Sequence, residues 1–437
     1  MQNLDNATLD QNTDWSIPAD VAATVILPAG YKDEDKLYRA LAWLRENQPL
    51  GIARVDGYDP IWLVTRHADV LAIERQVNLF HNMDDNPILN TRVSDEFLRA
   101  NNGGTCRAVA ALSFMDPPEH GIYRQVAAAY FSNANIQTLA DGIRVIAKGA
   151  VSTLLEGPRT IDLVKDFALR YPLRVIMSVF GMPLEDEPRM LRLTQEFFGA
   201  NDPEERRGDV SVTPDMAARQ FHTVLQDFYA YFGKFTADRR QAPRDDLMSL
   251  IANYKIDGEY LTDFMVNGYY VTIATAGHDT TSSTISAAML ALIEHPEIFT
   301  KVKAEPTAIP GLIEEALRWG SPVRHFMRTA TADTQLRNRQ IKKGDRLMLC
   351  YPSANRDEDV FKNPTDFDIS RRPNKHVAFG SGPHVCLGQQ LAKLEMKILL
   401  EELLPHLDGV QLAGRPKYVE TNFVGGLKSL PISFAAH

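Results

Sequence analysis

The chain is poor in cysteine, in closely spaced metal-ligand pairs and in long apolar runs. Its 437 residues hold three cysteines, Cys106, Cys350 and Cys386. The count is odd and no two are close. No Cys-x-x-Cys and no Cys/His cluster of zinc-type spacing occurs, which argues against a disulfide framework or a structural zinc site and fits a reducing compartment. No segment reaches the ~18–20 apolar residues of a membrane span. The polar, acidic stretch from Met1 to Trp15 is neither a signal nor a transit peptide. A cytoplasmic location is the expectation. A formal charge of −9 disfavours nucleic acid and anionic membrane as partners. Repeats and low-complexity linkers are absent, and no Gly-x-Gly-x-x-Gly stands in a strand–helix setting.

Pro and Gly are spread evenly, which favours one continuous domain over residues 1–437, with about fifteen flexible residues at the N-terminus. Ile61–Thr65 reads as a strand. From about Glu119 to Arg318 the periodicity is mostly helical. Ile341–Arg346 reads as a hairpin turn between strands, 355–379 as loop, and Leu387–Leu404 as helix. The tail, with Gly425-Gly426 before Leu430-Pro431-Ile432, reads as a terminal hairpin. The sum is mainly α with a minor β portion.

Two helices concentrate the chemistry. One runs from Thr262, an N-cap residue, to His295, where Pro296 stops it. At about 1.5 Å per residue it is roughly 50 Å long and crosses the molecule. It is apolar nearly all round, as a buried helix is, except at Ala276-Gly277-His278-Asp279-Thr280-Thr281-Ser282-Ser283-Thr284. A mid-helix Gly costs about 1 kcal/mol relative to Ala, and a buried Asp is costly unless paired. Such a local conflict marks a functional site. The second helix begins just after Phe379-Gly380-Ser381-Gly382-Pro383-His384-Val385-Cys386-Leu387-Gly388. A sulfur there meets free N–H groups at a helix start, which favour the thiolate and lower its pKa.

Phe379-x-x-Gly382-x-x-x-Cys386-x-Gly388, Glu315-Ala316-Leu317-Arg318 and Ala276-Gly277-His278-Asp279-Thr280-Thr281, in this order, resemble the cysteine loop, the Glu-x-x-Arg pair and the oxygen-side helix motif of the cytochrome P-450 family. The resemblance covers nearly the whole chain. It is nearest to the bacterial α-terpineol hydroxylase group through 273–283, Tyr351-Pro352-Ser353-Ala354-Asn355-Arg356-Asp357-Glu358 and Asn422-Phe423-Val424-Gly425-Gly426. Residues 82–105, where the family's substrate lid lies, match least.

The resemblance implies the P-450 fold, with haem b between the long central helix and the cysteine-loop helix. It implies Cys386 as proximal ligand, a thiolate that favours heterolytic O–O cleavage, and Phe379 packed beside it. Asp279 and Thr280 are implied as the proton-delivery pair. Neighbours on a helix lie ~100° apart, so one can face the haem and the other a water channel. His278 reads as a packing residue. His120, Arg124, Arg328 and His384 are implied propionate contacts, Arg suiting a carboxylate best. Glu315 and Arg318 share a helix face and pair with Arg371, or next best Arg372, in a structural triad. Thr272, Thr275, Ala276, Phe326 and Val424 are the implied substrate pocket.

No flavin or iron–sulfur segment is fused, so two electrons come from a partner. The resembled group uses a [2Fe–2S] ferredoxin with an FAD-dependent reductase, expected to dock near Arg124, Lys375 and Lys393. The expected activity is insertion of one atom of O2 into a C–H bond of a small hydrophobic substrate by a monomer. The leading substrates are a monoterpenoid or an alkyl-aromatic such as a cymene, then polycyclic aromatics. Two alternatives keep the haem: a peroxide-driven peroxygenase, and a non-catalytic binder or sensor.

Overall fold

The computed structural model describes residues 15–207 and 214–436. The expectation of a flexible N-terminal segment concerns residues that lie almost wholly outside these. Helices dominate, and the long one forms the axis on which the others stack. It spans Asp263–Glu294, and the Thr262 hydroxyl accepts the Met265 N–H at its start, satisfying a donor that the first turn leaves free. His295 ends it and Pro296 opens the next helix. Helices Arg170–Val179, Pro214–Gln241 and Ile309–Gly320 pack against it. Gly277 is required by that packing: a Cβ there would lie 2.6 Å from Cδ1 of Ile176. Close approach of two helices offsets the helix propensity that glycine loses.

The largest sheet has the strand order Leu50–Ala53, Ile61–Val64, Arg346–Cys350, His325–Ala330, Phe80–His81. The Arg346–Cys350 strand runs parallel to Ile61–Val64 and antiparallel to His325–Ala330, with Met348 opposite Met327. It is buried at every position, as a strand covered on both faces is. Strands Leu407–Leu412, Pro431–Ala436 and Thr160–Asp162 form a second sheet.

Two turn readings change. Residues Lys342–Asp345 do turn, with the Asp345 N–H bonded to the Lys342 carbonyl, but the strands on either side belong to different sheets. The hairpin lies earlier, pairing Thr334–Leu336 with Arg339–Ile341, and its corners Arg337 and Asn338 take φ of 48° and 57°. Those are the left-handed values that a tight two-residue hairpin turn requires. At the tail, Leu427–Ser429 pairs with Lys417–Tyr418, and Pro431–Ala436 pairs elsewhere.

Behind the cysteine loop the Glu315 and Arg318 side chains are fully buried and 2.6 Å apart. Arg318 also donates to the carbonyls of Asn355, Pro364 and Asp366. Arg371 Nε lies 3.3 Å from Glu315 Oε2, whereas Arg372 donates to the Arg371 carbonyl. Asn374 and the Asp368 N–H complete the shell around Glu315. These donors satisfy the buried carboxyl group and offset part of the cost of removing it from water.

Candidate active site

The cysteine loop is held by backbone geometry. The Cys386 N–H donates to the Phe379 carbonyl at 2.8 Å, and the Val385 N–H to that of Gly382. Gly382 has φ of 66°, and a Cβ on it would stand 2.6 Å from the Glu74 carbonyl oxygen. Only glycine fits both demands. The helix Gln389–Leu403 then starts with Gly388 at its N-cap.

Cys106 and Cys350 are buried, and Cys386 alone is accessible. Its sulfur is nonetheless closely surrounded by protein. Burial pushes the thiol above its ordinary value, while the N–H groups of Gly388 and Gln389 and the charge of Arg124 pull it down. The helix-start effect expected from sequence is therefore present but outweighed by burial, so the bare thiol is raised. A cation at the sulfur reverses that balance.

In the central helix Ala276 is exposed between the buried Thr275 and the half-buried Gly277. Thr280 donates to the Ala276 carbonyl at 2.7 Å. Thr275 is 2% exposed and bonds back to the Val271 carbonyl, while Thr272 is half-buried. Asp279 faces the helix Glu187–Phe198. Gln195 donates to its Oδ1 at 2.6 Å, and its Oδ2 is buried without a hydrogen-bond partner. His278 is fully buried, with Nε2 2.6 Å from the Leu169 carbonyl and Nδ1 2.9 Å from the Thr194 hydroxyl.

Four residues with donor groups gather beside the cysteine loop. The His120 and His384 rings lie 4.0 Å apart, and Nε2 of each is buried without a partner. Arg124 donates to the Val385 carbonyl at 2.7 Å, and Arg328 donates to the Met327 carbonyl with its Nε unpartnered. Burial and the charges of Arg328, His120 and Arg124 hold His384 at about 2. Burial and Arg124 lower His120 as well. Among the described residues none of the four makes an ion pair. A group bearing two carboxylates would satisfy these orphaned donors, as haem b does.

The sequence profile of the family "Cytochrome P450" matches residues 110–417. The chain is a cytochrome P450. It is 51% identical over 420 residues to cytochrome P450-terp of Pseudomonas sp, covering 96% of this chain and 98% of that one. It is 30% identical to linalool 8-monooxygenase of Pseudomonas putida, covering 90% and 94%. Among solved structures it superposes on CYP108D1 of Novosphingobium aromaticivorans with a TM-score of 0.89 at 39% identity, covering 97% and 100%. The P450 fold, monooxygenase class and haem b bound through a cysteine thiolate follow, as does membership of the terpineol hydroxylase group.

Of the expected pocket positions of this P450, Phe326 belongs to a ladder of rings. Phe326 meets Tyr351 at 6.4 Å and Phe423 at 5.4 Å, both edge-on. Phe423 reaches Phe198 at 6.2 Å, and Phe198 meets Phe197 at 4.9 Å. Val424 is buried and bridges to Val323. A cavity of about 130 Å³ lies between Phe114, Phe198, Phe221, Leu98 and Phe423. In the segment that matched least, Asp85, Asp95 and Cys106 cluster. Arg99 pairs with Asp85, Arg346 reaches it at 3.2 Å, and Asn86 donates to Asp95, so the cluster is already charge-compensated.

On the expected docking face Lys375 is exposed, but Lys393 is engaged by Glu314 at 2.7 Å and lies over the Phe379 ring. Three polar residues of the site escaped the sequence reading. Gln195 gave no signal, being one polar residue of an amphipathic helix. Glu395 did: it is a carboxylate in the apolar stretch of Gln389–Leu403, 1% exposed, accepting the Thr281 hydroxyl. Glu74 is the third. Among the described residues no helix is long and apolar enough to cross a membrane.

Proposed function

We propose that this P450 hydroxylates a small hydrophobic substrate, a monoterpenoid or an alkyl-aromatic hydrocarbon, with O2 and two electrons from a [2Fe–2S] ferredoxin. Cys386 is the proximal thiolate, and His120, Arg124, Arg328 and His384 hold the propionates. The observation that carries the reading is an accessible Cys386 beside the cluster of His120, Arg124, Arg328 and His384, in which buried ring and guanidinium nitrogens lack partners. Bound haem supplies the activation of O2, with the thiolate favouring heterolytic O–O cleavage.

The chain's own residues supply position and protons. The Thr280 hydroxyl turns from the Ala276 carbonyl to donate into the space above the cysteine loop. Asp279 passes protons from water on the other side of the helix. The ring ladder Tyr351–Phe326–Phe423–Phe198 gives rigid apolar walls that exclude water and suit a compact, ring-bearing substrate. Thr272, Thr275, Ala276 and Val424 line the same side. The names of the terpene-oxidising relatives support the substrate class.

The exposed Lys375 and the half-buried Arg124 present positive charge for an acidic ferredoxin. Arg371 completes the Glu315–Arg318 triad as a structural element. The test is reconstitution of the holoenzyme with ferredoxin, reductase and NADH, screening monoterpenoids and cymenes for a low- to high-spin shift and for oxygenated product. Turnover with peroxide alone, or none with any substrate that shifts the spin state, contradicts the proposal.

A further inference from the structure

One buried carboxyl lies against the cysteine loop and is used neither by the relay nor by the propionate cluster. Glu74 belongs to the helix His67–Arg75 and is 1% exposed. Its Oε1 accepts the Tyr351 hydroxyl at 2.6 Å, and the carboxyl also accepts the Ser381 backbone N–H. Its Oε2 is buried and has no partner. Among the described residues no ion pair holds the carboxyl, and the charge that acts on it most strongly is Arg328, whose Nε is also buried without a partner. The loop fixes it in place: a Cβ on Gly380 would stand 3.2 Å from Oε1.

We propose that Glu74 is a positioning residue at the haem's carboxylate edge, sharing Arg328 with a propionate and taking up a proton when the iron is reduced. The inference rests on Arg328 belonging to the propionate cluster. Two carboxyl groups beside one guanidinium leave one negative charge in excess, and burial disfavours keeping it. Burial pushes Glu74 up to about 7, against the pull of Arg328, the Tyr351 hydroxyl, the Ser381 N–H and Arg75. The charged and titratable groups acting on it are thus Arg328 on its strand, Tyr351 and Arg75, with His384 beyond Arg328. In the holoenzyme, reduction of the iron by a one-electron donor would add negative charge nearby, and Glu74 would then take a proton from water on its free carboxylate oxygen. One electron and one proton enter, and no heavy-atom bond changes.

The experiment is a reduction-potential titration of the holoenzyme from pH 6 to 9, wild type against Glu74→Gln, with the reduced carbon monoxide spectrum as a check of ligation. The wild-type potential is expected to fall through neutral pH by up to a tenfold change in the reduction equilibrium per pH unit, ~59 mV. Glu74→Gln, neutral throughout, is expected to match it at pH 6 and lie above it at pH 9. Equal slopes overturn the proposal. Tyr351→Phe removes a hydrogen bond that favours the carboxylate, so its inflection is expected at higher pH. An unmoved inflection overturns the proposal even if Glu74→Gln loads no haem. Arg328→Leu separates the two readings. Unchanged haem retention there defeats the cluster itself, whereas weakened retention with equal Glu74→Gln slopes defeats only the role of Glu74.

Discussion

The side-chain amide of Gln195 donates to Oδ1 of Asp279 at 2.6 Å, tying the central helix to the helix Glu187–Phe198. His278 Nδ1 stands 3.4 Å from the other oxygen. The carboxylate is therefore held toward the helix Glu187–Phe198, and in the proposed relay it leaves that hold to pass a proton inward. A hydrogen bond to a charged group is worth about 1.5–3 kcal/mol. Gln195→Leu is expected to reduce the solvent isotope effect on turnover, because the carboxylate turns more freely. Asp279→Asn is expected to enlarge it and to slow turnover by ~10²–10⁴. Both variants moving the isotope effect the same way contradicts this arrangement.

Thr280→Ala removes the hydroxyl that bonds the Ala276 carbonyl and in the proposed mechanism turns from it, while the helix keeps its backbone bonds. NADH consumption in the reconstituted system is expected to persist while hydrogen peroxide replaces most of the hydroxylated product. Product yield per NADH close to wild type would assign the proton donor elsewhere.

The buried Glu315–Arg318 pair predicts a stability effect without a direct catalytic one. Arg318→Ala leaves the Glu315 carboxylate in a site with zero exposure, short of its main partner. Loss of one member of such a pair costs about 3–5 kcal/mol, read as a lower denaturant midpoint and poor haem incorporation. A midpoint within experimental error of wild type would mean that the pair is not a buried anchor.

His384 has an unpartnered Nε2 in the cation-rich edge. His384→Leu removes one hydrogen bond to a carboxylate, worth about 1.5–3 kcal/mol. Each 1.4 kcal/mol is tenfold, so haem transfer to apomyoglobin is expected to speed up by roughly 10–100-fold. An unchanged transfer rate would remove His384 from the cluster.

Much of the frame was legible because its signals are local. Thr262 and Pro296 bracket the central helix in sequence as they do in space. The cysteine loop is written in glycine spacing, and Glu315 and Arg318 sit within one turn. The losses are non-local. Lys342-Lys343-Gly344-Asp345 reads the same whether its flanking strands pair with each other or not, and here Arg339–Ile341 pairs back with Thr334–Leu336 while Arg346–Cys350 pairs with Ile61–Val64 and His325–Ala330. Gln195 and Glu74 are ordinary polar residues until folding brings Asp279 and Arg328 to them. The raised thiol of Cys386 has the same origin: helix-start N–H groups are visible in sequence, but the depth of burial that outweighs them is not.

The central claim is that Cys386 ligates the haem, and the reduced carbon monoxide spectrum tests it most directly. Wild type, Cys106→Ser and Cys350→Ser are each expected to give the red-shifted Soret band of thiolate ligation, and Cys386→Ser to lose it. Survival of that band in Cys386→Ser, or its loss in either of the other two with haem still bound, would contradict the account.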